Sequence, residues 1–138
     1  MSKSSLAKIA GETADSLRGT HLFETVKVSA VSSGSQIFEE LESMTRLPGA
    51  LVAISRADFA EEGLERNLHL LLIVADRFRL GAAAKNAGVW DLLEAIETLA
   101  EKSLCPCGIP FTLDGWEAID AGKESITAFA LRLSGAEA

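Results

Sequence analysis

The sequence predicts a single α+β domain, a mostly antiparallel sheet with helices packed on one face. Three observations carry this reading. Leu68-His69-Leu70-Leu71-Leu72-Ile73-Val74-Ala75 is an apolar run with no polar alternation from Leu70 to Ala75. Such a run suits an interior strand with both faces buried. Val89, Leu92, Leu93, Ile96, Leu99 and Ala100 recur at spacings of three and four, one apolar stripe along a helix from Val89 to about Lys102. The whole chain then reads α–β–(α)–β–β–α–β–β, with strands grouped and helices between them.

Each element has its own signal. Leu6, Ile9, Ala10, Thr13, Ala14 and Leu17 predict a helix over 4–18, with Ser4 or Ser5 as N-cap and Gly19 as stop. Leu22 to Val31 alternates and is rich in Val, Thr and Phe, so it reads as a strand close to an edge. Ser32-Ser33-Gly34-Ser35 is a turn, and Ser35 can cap a short helix through Ile37, Phe38, Leu41 and Met44 that ends at Leu47-Pro48-Gly49. Ala50 to Ala57 is a strand, Asp58 to Gly63 a polar hairpin-like connection, and Arg66 to Ala75 the central strand. The short link favours antiparallel pairing of 50–57 with 66–75. After the second long helix, Ser103 to Pro110 is a loop and Phe111 to Ile119 a weak strand. Asp120-Ala121-Gly122-Lys123 is a turn, and Ser125 to Leu133 the last strand. Residues 1–3 and 134–138 are expected to fray.

Bulk properties narrow the classes of function. The 138 residues suit one domain, and 48% hydrophobic residues are enough for a core. No apolar run approaches the ~20 residues that cross a bilayer, and Met1-Ser2-Lys3-Ser4-Ser5 lacks a signal-peptide core, so the expectation is a protein used inside a cell, without a membrane. Twenty acids oppose 13 Lys and Arg, a net charge of −7. That balance argues against a protein that grips nucleic acid through its phosphates. It suits a surface past which DNA slides.

The search for chemistry yields no catalytic, cofactor or metal assignment. Cys105-Pro106-Cys107 has one intervening residue, and no second cysteine pair exists, so the plain reading is two reduced loop thiols. His69 reads as a solvent-facing or hydrogen-bonded strand residue. Gly81 and Gly88 flank a helix start, but no Gly-x-Gly-x-x-Gly, Walker or Gly-x-Ser-x-Gly pattern is present. Glu61 and Glu62 read as a loop tip. Arg77, Phe78 and Arg79 put cations and an aromatic ring just past a buried strand; the stretch reads either as a surface loop with Phe78 tucked under the helix or as a contact point for a protein partner, since Arg and aromatic residues are enriched at interface anchors. Trp116, beside Gly115, either joins the core or faces a neighbour.

Three stretches together resemble a known family. Leu47-Pro48-Gly49-Ala50-Leu51-Val52-Ala53-Ile54 resembles its Leu-Pro-Ala-Val-Leu-Val strand. Leu70 to Arg79 resembles its next strand and corner, and Ala87-Gly88-Val89-Trp90-Asp91-Leu92-Leu93-Glu94-Ala95-Ile96 its Gly-x-x-x-Leu-Leu-Glu-Ala-Val helix. The family is the Mu-like phage and prophage tail protein group, related to tail-terminator or tail-completion proteins. The likeness covers roughly residues 20–133. Cys105-Pro106-Cys107 and the Asp-Arg-Phe-Arg corner depart from it.

The resemblance implies a structural virion protein rather than an enzyme. It would be assembled in a bacterial host's cytoplasm as a ring, usually a hexamer. The ring would cap the tail tube and face the head-side connector, with DNA passing through unbound. Arg77, Phe78 and Arg79 are then candidates for one subunit interface, with Glu61 and Glu62 on the facing subunit and Trp116 as a further contact. Alternatives are another neck or tube component, or a small cytosolic enzyme or ligand-binding domain. A pocket with convergent polar groups would favour the last.

Overall fold

The computed structural model describes residues 4–29, 39–40, 46–60, 65–77, 89–102, 104–119 and 126–137. Among them are two long helices and a five-stranded sheet, which make a single α+β domain. Helix α1 is Leu6–Arg18 and helix α2 is Val89–Lys102. The strands are β1 Thr25–Val28, β2 Gly49–Phe59, β3 Arg66–Arg77, β4 Thr112–Ile119 and β5 Ile126–Glu137. Their order across the sheet is β1-β2-β3-β5-β4. β1 runs parallel to β2, and all other neighbours are antiparallel.

β3 is the middle strand, as its unbroken apolar run predicts. Leu68, Leu70, Leu72, Ile73, Val74 and Ala75 are all buried. Directly opposed residues share a face of the sheet. Val52, Leu72 and Leu131 are so opposed, and they point to the face that carries both helices. Ile9, Ala14 and Leu17 of α1 and Leu93 and Ile96 of α2 pack there, joined by Leu104, Ile109 and Phe111. Leu51, Ile73, Ala75, Ala128 and Ala130 form a second buried group on the opposite face.

Helix α1 starts where Ser5 accepts a 3.4 Å hydrogen bond from Lys8 N–H, and Gly19 caps its end. Thr13 is buried in the apolar stripe because its Oγ1 donates to Ile9 O at 2.8 Å, which leaves its polar atom satisfied. Helix α2 has the predicted bounds. The loop between α2 and β4 contains a 3-10 turn, Pro106–Gly108, against which α1 packs. Gly108 has φ +77, a conformation that a side chain rarely adopts. Gly135 is required for a different reason: a Cβ there would lie 2.9 Å from the Phe111 ring and Pro110 O.

Several expectations change. The strand expected over 22–31 is short: Leu22 to Glu24 precede β1, and Glu24 and Thr25 N–H both reach Pro48 O instead. Asp58 and Phe59, expected in the connection, belong to β2 and pair with Asn67 and Arg66; residues 61–64 lie outside the described residues. Asp76 and Arg77 likewise extend β3. The largest correction is at the C-terminus. Ser134 to Glu137 do not fray, because β3 offers them partners down to Arg66↔Glu137. Residues 1–3, most of the helix expected over 35–46, and the link 78–88 lie outside the described residues. Glu39 and Glu40 are helical.

Candidate interaction surface

The two tryptophans meet on the helix-bearing face, beside β4. Trp116 opposes Leu131 on that face, and Ala118 opposes Phe129, which sets Trp116 and Phe129 on a diagonal across two strands. Their rings stand edge to face, 5.4 Å apart at 81°. Trp90, in the first turn of α2, closes the group at 6.1 Å from Trp116 and 5.4 Å from Phe129. These separations are in the range where edge-to-face aromatic pairs attract. Phe129 is 5% exposed and forms the floor, while Trp90 is 53% and Trp116 38% exposed. The trio is therefore anchored in the core and open to solvent at its rim. Rigid aromatic rings held in this way are the commonest anchors of protein contacts.

Of the candidate residues that are described, Trp116 falls in this surface. It packs on buried Phe129 while its rim stays exposed. Trp90 and Phe129 were not singled out, although a Trp flanking an amphipathic stripe was a usable signal for the first. Arg77 ends β3 opposite Ile126, while Phe78, Arg79, Glu61 and Glu62 lie outside the described residues.

The opposite face carries polar groups at its lower end. His69 Nε2 lies 2.9 Å from Asp58 Oδ2, and Arg56 is 3.2 Å from the same oxygen. Ser134 sits opposite His69, and its hydroxyl donates to Asp114 Oδ1 at 3.1 Å. Asp58, Asn67, His69, Thr112 and Ser134 line a shallow groove of about 510 Å³. Asp58, His69, Thr112 and Ser134 there each have a protein partner. Among the described residues, no three His, Cys, Asp or Glu side chains stand close enough to hold a metal ion.

The cysteines are placed by α1. Glu12 accepts from Cys107 N–H at 3.1 Å through Oε1, and from the Cys107 thiol at 3.1 Å through Oε2. The thiol's hydrogen bond and then the N–H hold the Glu12 carboxyl below the usual carboxylate range. Conversely, the hydrogen bond to Glu12, then burial and the Glu12 charge, push the Cys107 thiol up. Thiolate is the reactive form. Cys107 should therefore alkylate more slowly than the exposed Cys105 near pH 8, and Glu12→Ala should accelerate it several-fold. Mass spectrometry of iodoacetamide-treated protein reads both rates, and equal rates before the substitution would contradict the placement.

The fold and this surface define a class: a small α+β domain whose sheet, among the described residues, ends in β1 and β4, with an aromatic patch beside β4. No protein-family model matches the chain, and no curated protein sequence matches it.

Proposed function

We propose that this chain is a structural component of a tailed phage or prophage particle, a tail terminator that caps the tail tube as a ring and joins it to the head-side connector. The observation that carries the reading is the exposed aromatic pair Trp90–Trp116, supported from below by Phe129. A pair of indoles held open to water is a contact surface. Two further points support the reading. The sequence resembles tail-terminator relatives along most of its length, and the α+β class agrees with what that resemblance implies. The net charge of −7 suits a ring through which DNA moves without the cation–phosphate contacts that would retain it. The protein's working partners are then further copies of itself, the tail-tube protein and the connector, and its place is the virion neck.

A second reading rests on the groove beside His69 and Asp58: a small ligand-binding domain. It ranks lower because the groove's side chains bond one another rather than converging on an empty centre.

Removal of the gene from its phage, followed by electron microscopy of lysates, tests the first reading. The expected result is free heads together with tails that are overlong or unable to join. Normal infectious particles without this protein would exclude it.

A further inference from the structure

Among the described residues the sheet has two edges, β1 and β4, and they are unlike. An open strand edge invites another strand, so each must meet something or be guarded. At β1, Ser29 N–H bonds inward to Val52 O at 2.8 Å, whereas Val26 O faces the other way and takes Arg18 Nη2 at 2.9 Å. Backbone groups alternate sides along a strand, so the peptide groups of Val28 also point away from β2. The Val28 side chain is 48% exposed. Lys27, beside it, is exposed on the opposite face. At β4 the same two-faced pattern recurs with the opposite charge. Trp116 and Ala118 lie on the helix-bearing face, and Glu117 lies exposed on the other.

We infer that β4 of one copy pairs antiparallel with β1 of the next, with Lys27 opposite Glu117 and Val28 opposite Trp116. The occupant of each edge is thus a second copy of this chain. The inference rests on the ring reading above and specifies its interface. Two features of the fold support it. First, direction: β1 and β2 run one way, β3 the other, β5 back and β4 the other again. Rotation about an axis along the strands preserves these directions, so β4 meets the neighbour's β1 antiparallel. Second, a single register satisfies both faces. Cross-strand partners share a face, so placing Lys27 opposite Glu117 automatically places Val28 opposite Trp116 and Val26 opposite Ala118. Because the two edges are different surfaces, the contact is heterologous and repeats from copy to copy, which closes into a ring when the rotation permits.

The test uses charge exchange at two exposed positions, read by sedimentation and light scattering of the full chain, with circular dichroism to verify folding. Lys27→Glu and Glu117→Lys should each weaken assembly about tenfold or more, since each sets like charges face to face. The double variant should recover wild-type assembly. An equimolar mixture of the two single variants should also assemble, because alternating copies then face each other with opposite charges. Single variants that assemble like the wild type, or a double variant and mixture that both fail, overturn this interface and leave the ring reading standing. A wild-type chain that stays monomeric at its highest soluble concentration overturns the interface, and gene removal then judges the ring reading by itself.

Discussion

Replacing Glu137 by alanine is expected to destabilise the fold by about 3–5 kcal/mol. Arg66 is buried on β3, and its Nη2 meets Glu137 Oε1 at 2.6 Å, with the two side chains only 10% and 13% exposed. The same Nη2 donates to Ser4 O at 2.9 Å, and Ser4 N–H reaches Glu137 Oε2 at 3.0 Å. Arg66 Nε is buried and, among the described residues, has no hydrogen-bond partner. Removal of Glu137 would thus strand a charge that is already incompletely satisfied. An Arg66→Met, Glu137→Leu double variant should recover most of the loss, because a buried pair is far costlier to break than to replace by apolar groups. Denaturant melts of the three proteins measure it. A single-variant loss below about 1 kcal/mol would show that the pair is not structural.

The same cluster sets an acid dependence. Hydrogen bonds from Ser4 come first, and the Arg66 charge adds to them, in holding the Glu137 carboxyl below its usual value of 4.5. A carboxylate whose pKa is lowered by folding stabilises the native state fully above its unfolded value. That contribution disappears as pH falls through the lowered folded value. Stability of the wild type should therefore decline below about pH 4.5, and that part of the decline should be absent from the Arg66→Met, Glu137→Leu double variant.

Leu93→Ala and Ile96→Ala should each cost about 2–5 kcal/mol. Both side chains are 1% exposed and sit in the same apolar cluster as Leu70, Leu72 and Leu131. Truncation removes buried methyl groups and leaves a cavity that a rigid sheet cannot close. Leu99, on the same helix but half-buried, should tolerate the change better. Chemical denaturation checks all three, and costs below about 1 kcal/mol at both buried sites would contradict the packing of α2 on the sheet.

The candidate surface was legible only in part. Trp116 stood out because a large aromatic residue followed a glycine in an otherwise weak strand. Its partners did not. Phe129 looked like any inward residue of a strand, and Trp90 like the flank of a helix stripe. Their meeting depends on β5 lying beside β4 and on α2 crossing above both, a relation among three segments that the sequence keeps apart. The Lys27 and Glu117 edges were equally silent, since nothing local to a strand says whether it will be the last in its sheet.

What the sequence determined alone was the kind of each long helix and strand described, and the extent of α2. Helix α2 took its predicted bounds because an apolar stripe at a 3.6-residue period can bury only one way. β3 became the central strand because an unbroken apolar run has no face to give to water. The tertiary structure decided which strand lay beside which. β1 and β2 are parallel, and β5 enters between β3 and β4, through pairings whose strength comes from residues far apart in the chain. It also decided the fate of the C-terminus. Ser134-Gly135-Ala136-Glu137 is small and polar, and locally it resembles a loose end. It is a strand because β3 extends alongside it and because buried Arg66 requires the charge of Glu137.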